Sequence, residues 1–136
     1  MRVFLDANIL FSAAKSSGAV RELLSRLVRA GHVLCADAYV IEEARRNLAL
    51  KGPASVMALD RLLATIESAP FRPRLLPARV ASLVHEKDRP VAAAAIFMQC
   101  DVLLTGDRTH FGQLYGQVLL GVIVHSPRSL AELLEL

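Results

Sequence analysis

Short apolar runs that stop on polar residues alternate along this chain with longer stretches of helical periodicity. The first run, VFLDAN, carries Val3, Phe4 and Leu5 and stops on Asp6, with Asn8 just beyond. A β-branched and aromatic run of this kind predicts a buried strand. Ser16-Ser17-Gly18 reads as a turn or cap. Val20, Leu23, Leu24, Leu27 and Val28 then recur at helical spacing among arginines, and Gly31 ends that helix. Residues 33–36 predict a second strand. Asp37 is placed to cap a helix over 38–51, closed by Gly52-Pro53.

A third helix is predicted over 54–68, with Val56, Leu59, Leu62, Leu63 and Ile66 on its apolar face. Pro70, Pro73 and Pro77 punctuate residues 71–76, which read as a connector or edge strand. A short helix over 79–86 and an alanine-rich helix over 91–100 follow; the small side chains of the latter suit close packing on a sheet. Residues 102–105 give another buried strand, ended by Gly106-Asp107. A short helical or irregular piece covers 108–114, and 118–124 predict the last strand. Ser126-Pro127 opens a final amphipathic helix through Leu133 and Leu134. Strands alternating with helices predict an α/β fold with a mainly parallel sheet and right-handed crossovers. With 136 residues and no repeat or linker, residues 1–136 read as one domain.

Four acids fall where such a fold could gather them. Asp6 and Asp107 each follow a buried strand, so parallel neighbours would put both on one sheet edge. Ligands of open α/β sheets bind outside that edge. An acid directly after Val-Phe-Leu needs partners, because burying a charge alone is costly. Asp88 precedes a helix that must run antiparallel to the strands, which returns its start to the same edge. On the 38–51 helix, Val40, Ile41, Ala44 and Leu48 form an apolar stripe at about 100° per residue. Glu43 borders that stripe, with Asn47 one turn along, while Glu42 points to solvent.

Clustered carboxylates repel one another and persist where something neutralises them. Hard divalent cations do so through oxygen ligands, and a cation so held can activate water and clamp a phosphodiester. The charge balance agrees: net charge is +3, and setting aside the four acids leaves +7 on the rest. A mildly basic surround suits a polyanion.

Other chemistries find less support. Cys35 and Cys100 lie in apolar surroundings without metal spacing and read as reduced core cysteines. His32, His85, His110 and His125 are scattered, with no pair at ligand spacing, which argues against a zinc site. Arg2, Asp6 and Asn8 spoil a signal-peptide core, and the charge-free stretch 109–127 is interrupted by Gly112, Gly116 and Gly121, so a cytoplasmic location without membrane contact is expected.

Asp6 in VFLDAN, Glu43 in VIEEARRNL, Asp88 in KDRPVAAAA and Asp107 in VLLTGDRTHF together resemble the PIN-domain ribonucleases, and in particular VapC-type toxins of prokaryotic toxin–antitoxin pairs. The resemblance spans nearly the whole chain. It implies a three-layer α/β/α fold and Mg²⁺- or Mn²⁺-dependent cleavage of single-stranded RNA. It also implies that Asp6, Glu43, Asp88 and Asp107 bind the metal, with Asn8 and Thr105 in support. An inhibitory antitoxin protein and a homodimer are the implied partners. Arg89 and Arg108 flank two of the acids and are candidate phosphate contacts. The alternative is a PIN fold that binds RNA or protein without cutting. A phospho-acceptor domain is disfavoured because the first strand ends in a single acid. A two-aspartate phosphatase is disfavoured because Asn8 stands where a second acid would be needed.

Overall fold

A computed structural model describes residues 1–136. Strand β1 (Arg2–Leu5) forms on the first apolar run and buries Val3, Phe4 and Leu5 completely. Helix α1 (Ala7–Lys15) begins at once, because the Asp6 carboxylate accepts the Ala7 N–H at 2.7 Å and caps it. Residue patterning did not reveal this helix. Its sequence, ANILFSAAK, is apolar almost throughout and shows little polar contrast. Helix α2 (Ala19–Arg29) and strand β2 (Val33–Asp37) follow. Asp37 then caps α3 (Ala38–Lys51) as expected, accepting from the Val40 N–H at 3.2 Å.

The next segment departs from the expected single helix over 54–68. A 3₁₀ turn (Pro53–Ser55) precedes α4 (Val56–Leu63), and the chain then turns into strand β3 (Glu67–Ala69). The Thr65 hydroxyl donates to the Leu62 carbonyl at 2.8 Å and closes the helix early. The edge strand is thus 67–69, paired parallel to β2, rather than 71–76. Pro70 has no N–H to continue the pairing. Helix α5 (Ala78–Ala81) is shorter than predicted, and a 3₁₀ turn (Glu86–Asp88) leads into α6 (Arg89–Phe97). Strand β4 (Val102–Leu104) and the short α7 (Arg108–Phe111) match expectation.

The predicted last strand is two strands. β5 (Val118–Leu119) and β6 (Val122–His125) pair antiparallel across Leu120-Gly121. Both loop residues have positive φ, 47° and 88°, the requirement of a tight type I′-like hairpin. Helix α8 (Pro127–Leu133) closes the chain behind a reciprocal Ser126–Ser129 capping box.

The six strands lie in the order β3-β2-β1-β4-β6-β5, all parallel except β5. The chain runs outward one way from β1 through β2 to β3, then crosses back to β4 on the other side of β1. With right-handed crossovers, α1–α4 and α5–α6 cover opposite faces. The place where strand order reverses lies between β1 and β4. No helix is long and apolar enough to cross a membrane.

Leu120 holds a left-handed conformation that costs an ordinary L-residue about 1–2 kcal/mol, and the residue is 43% exposed. Leu120→Asn should therefore stabilise the protein by about 0.5–1 kcal/mol, read as a higher denaturant midpoint with unchanged slope. A lower midpoint would show that Leu120 packing outweighs the backbone strain.

Candidate active site

Leu5 and Leu104 are register partners on β1 and β4. The residues that follow them, Asp6 and Thr105, emerge side by side at the carboxyl edge of the sheet, at the point where strand order reverses. This is the expected ligand position in open α/β sheets. The Asp6 N–H donates to the Leu104 carbonyl at 3.0 Å, extending the strand pairing to the site itself.

Asp6 is 5% exposed, and three donors hold its carboxylate. The Ala7 N–H reaches Oδ1; the Thr105 hydroxyl (2.9 Å) and the Asn8 amide (3.2 Å) reach Oδ2. Asn8 also accepts the Gly106 N–H at 2.8 Å, and Thr105 Oγ1 accepts the Asp107 N–H at 3.2 Å. Asn8 and Thr105 thus tie the end of β1 to the loop after β4. Tyr115 adds a bond from its hydroxyl to the Thr105 carbonyl at 3.2 Å.

The other acids arrive on helix starts and one helix flank. Asp107 caps α7 by accepting the His110 N–H at 3.0 Å. Asp88 stands at the start of α6 but makes no side-chain capping bond. Glu43 is half-buried on α3, and Glu42 is exposed, as the helical wheel required. Asp6, Asn8, Glu43, Asp88 and Asp107 all line one cleft of about 520 Å³, together with Asn47, Lys51, Lys87, Tyr39 and His110. Thr105 is fully buried behind Asp6.

Two predicted residues do not join them. The half-buried Arg89 turns its Nε to the carbonyls of Ala81 (3.0 Å) and Val84 (3.3 Å), tying down the end of α5. Arg108 is exposed and lies outside the cleft lining. Conversely, residue spacing missed His110, whose Nδ1 touches Asp88 Oδ2 and lies 3.2 Å from Asp107 Oδ2. One faint signal existed: His110 sits one helical turn after Asp107.

Burial and like charge shape the titration of the site. Burial raises the Asp6 carboxyl to about 6; the Thr105 and Ala7 bonds pull the other way, and the charges of Asp88 and Glu43 add to the rise. Burial also raises Asp88, against the pull of His110. The Tyr39 hydroxyl is raised by burial and by the nearby charges of Glu43 and Asp88. A divalent cation would relieve this crowding. The donors fit one: the acids offer oxygen ligands of the kind hard cations take, and burial leaves both Asp6 and Asp88 harder to ionise than free carboxyls.

The chain matches the family model described as PIN domain over residues 2–109. Among curated proteins, none matches the sequence. Solved structures share the fold. A chain of the Rickettsia felis VapBC2 complex, solved with a DNA fragment from its promoter, has a TM-score of 0.63 at 17% identity, covering 93% of this chain and 98% of that one. Mycobacterium tuberculosis VapC20, described as a toxin that cleaves the sarcin-ricin loop, has a TM-score of 0.56 at 14% identity, covering 85% and 98%. A chain of FitAcB from Neisseria gonorrhoeae has a TM-score of 0.54 at 20% identity, covering 93% and 98%.

The folded chain keeps the Asp6 proton up to about pH 6, whereas an unfolded aspartate releases it near ~3.9. Between those values the folded state binds more protons, so stability of the metal-free protein falls as pH rises and levels off above the folded pKa. Asp6→Asn cannot titrate. In EDTA, its stability relative to wild type should improve by about 2–3 kcal/mol between pH 4 and pH 7, measured by denaturant unfolding. A pH-independent difference would show that Asp6 is ionised throughout. With a matching family model and a shared fold, and with the acids gathered on the sheet edge, the chain belongs to the PIN domain family.

Proposed function

We propose that this protein is a metal-dependent endoribonuclease that cuts single-stranded RNA. The observation that carries the reading is the convergence of four carboxylates, from four separate segments, on one open cleft. The cleft lining offers no serine or cysteine nucleophile, and the crowded acids favour a cation. Asp6, Asp88 and Asp107 would hold Mg²⁺ or Mn²⁺, with Glu43 in support from α3. The cation would supply a water activated for attack on phosphorus and offset charge on the phosphodiester.

The remaining residues have separate tasks in this reading. Asn8 and Thr105 fix the Asp6 carboxylate, so that one ligand is in place before metal arrives. Lys51 and Lys87, on the cleft wall, attract the phosphate backbone. Arg108 remains a phosphate contact in this reading, from the exposed side of Asp107. Arg89 acts instead by anchoring the loop before Asp88.

The fold shared with VapC20 and with chains of VapBC2 and FitAcB supports a toxin restrained by an antitoxin protein. A homodimer is part of the same proposal. The exposed Met57 and Leu83 offer apolar area for such contacts.

The reading is tested with purified, inhibitor-free protein on a mixed single-stranded RNA pool. Cleavage should require Mg²⁺ or Mn²⁺ and stop in EDTA. Asp6→Asn should lower it by more than about 100-fold, beyond the 10–100-fold typical of outer-shell partners. Folded wild type that binds RNA but cuts none under any metal would overturn the nuclease reading in favour of a binding module. Asp107→Asn should weaken Mn²⁺ binding in calorimetry by about tenfold or more without unfolding the protein. Unchanged affinity would remove Asp107 from the metal shell.

A further inference from the structure

The chain leaves β3 at Pro70 and enters no regular element before α5. Residues 70–77, Pro-Phe-Arg-Pro-Arg-Leu-Leu-Pro, form an extended strap between the two. β3 is parallel to β2, and β2 to β1, so β3 ends on the same sheet edge as Asp6. The strap therefore starts beside the acidic cleft. Phe71 meets Tyr39, a cleft residue, with ring centroids 5.2 Å apart and planes tilted by 39°. Further along, the Arg74 guanidinium lies over the Phe97 ring, 4.6 Å from its centroid. Phe97 ends α6, the helix that starts after Asp88. The strap thus runs from the cleft edge back along α6, and a groove of about 320 Å³ lies between them.

The needs of the fold do not explain this composition. Residues 70–76 make no backbone hydrogen bond, and all of the strap but Leu76 is exposed. Pro70, Pro73 and Pro77 fix φ and keep the run extended without such bonds. No acid occurs from Ser68 to His85, whereas Arg72, Arg74 and Arg79 contribute +3. The arginine ion pairs of the chain are those of Arg2, Arg26, Arg29, Arg45 and Arg128, so these three have no carboxylate partner. In the groove, Glu86 is the one acid against Arg72, Arg74 and Arg89. A guanidinium held over a ring face keeps N–H donors for a second partner, and its fork matches phosphate oxygens. Phe71 is 42% exposed, which leaves ring surface for a base. Cationic grooves interleaved with aromatic faces are how single-stranded nucleic acid is gripped without regard to sequence.

We infer that residues 71–74 form a track for the single-stranded RNA that enters the cleft: Arg72 and Arg74 hold its phosphates, and Phe71 stacks a base beside Tyr39. The track rests on the ribonuclease reading of the cleft and extends it by assigning where the uncut strand lies. Prolines and two aromatic contacts hold the strap in place beforehand, so little freedom is lost on binding. The track lies away from the reacting phosphate. It holds substrate and transition state alike and acts on KM rather than kcat.

The test measures binding apart from cutting. A fluorescein-labelled oligouridylate of about 16 nucleotides, the upper range of single-strand site sizes, is titrated with the full chain in EDTA and followed by anisotropy. Arg72→Gln combined with Arg74→Gln should weaken binding about tenfold or more. It should also flatten the slope of log K against log salt by about 1.4, the value for two single-strand phosphate contacts. Phe71→Leu keeps bulk against Tyr39 but removes the stacking face. It should weaken binding about fivefold or more with the salt slope unchanged. Arg26→Gln combined with Arg29→Gln removes the same charge from α2, on the other face of the sheet, and should change affinity less than twofold. Equal weakening in that pair would reduce the effect to net charge and overturn the track. So would strap variants within twofold of wild type, or folded wild type that binds no oligouridylate. A wild-type dimer that the strap variants dissociate in sedimentation velocity would make the strap an interface between copies, which also overturns it. Cleavage with Mn²⁺ is scored separately, and the strap variants should change its KM rather than its kcat. Cleavage with strap variants that bind like wild type removes the track and keeps the nuclease. Strap-dependent binding without cleavage removes the nuclease and keeps the track.

Discussion

The site depends on one buried carboxylate. Asp6 leaves β1 into the protein interior, where a lone charge is costly. Three donors, from Ala7, Asn8 and Thr105, hold it in one orientation. Asn8 and Thr105 join the end of β1 to the loop after β4, so the carboxylate and the strand junction stabilise each other. The donors do not fully offset the burial, and the carboxyl remains raised to about 6. In the proposed reading, a cation completes what the hydrogen bonds leave undone.

Topology supplies the rest. Because strand order reverses between β1 and β4, their carboxyl ends open onto a cleft flanked by helices running the other way. Three of the four acids stand at helix starts: Asp6 at α1, Asp88 at α6 and Asp107 at α7. Helix N-termini favour negative charge, which helps hold carboxylates close together. Asp6 and Asp107 also cap their helices through their side chains. Asp88 does not, and its Oδ2 meets His110 Nδ1 instead. The capping and ligand readings of these residues are therefore two consequences of one placement.

Much of this was legible in the residues. Buried strands announced themselves as short apolar runs, and the helical wheel of α3 separated Glu43 from Glu42. Elements whose cues were weak or non-local were not. Helix α1 lacks polar contrast. The β5–β6 hairpin depends on a backbone conformation at Leu120 that its side chain does not advertise. β3 is fixed by pairing with β2 more than by its own sequence, ESA. Arg89 looked like a phosphate contact because it adjoins Asp88, but its guanidinium serves the carbonyls of Ala81, at the end of α5, and Val84. His85 and His110 meet only because α7 folds over the turn before α6, a contact that no local period encodes.

The central claim is that these carboxylates share a divalent cation. The most direct measurement is an anomalous difference map from crystals soaked in Mn²⁺, recorded for wild type and for Asp88→Asn. The account predicts a strong peak in wild type within bonding distance of Asp6, Asp88 and Asp107 oxygens, and its weakening in Asp88→Asn. An empty cleft at saturating Mn²⁺, or Mn²⁺ bound only elsewhere, would contradict it.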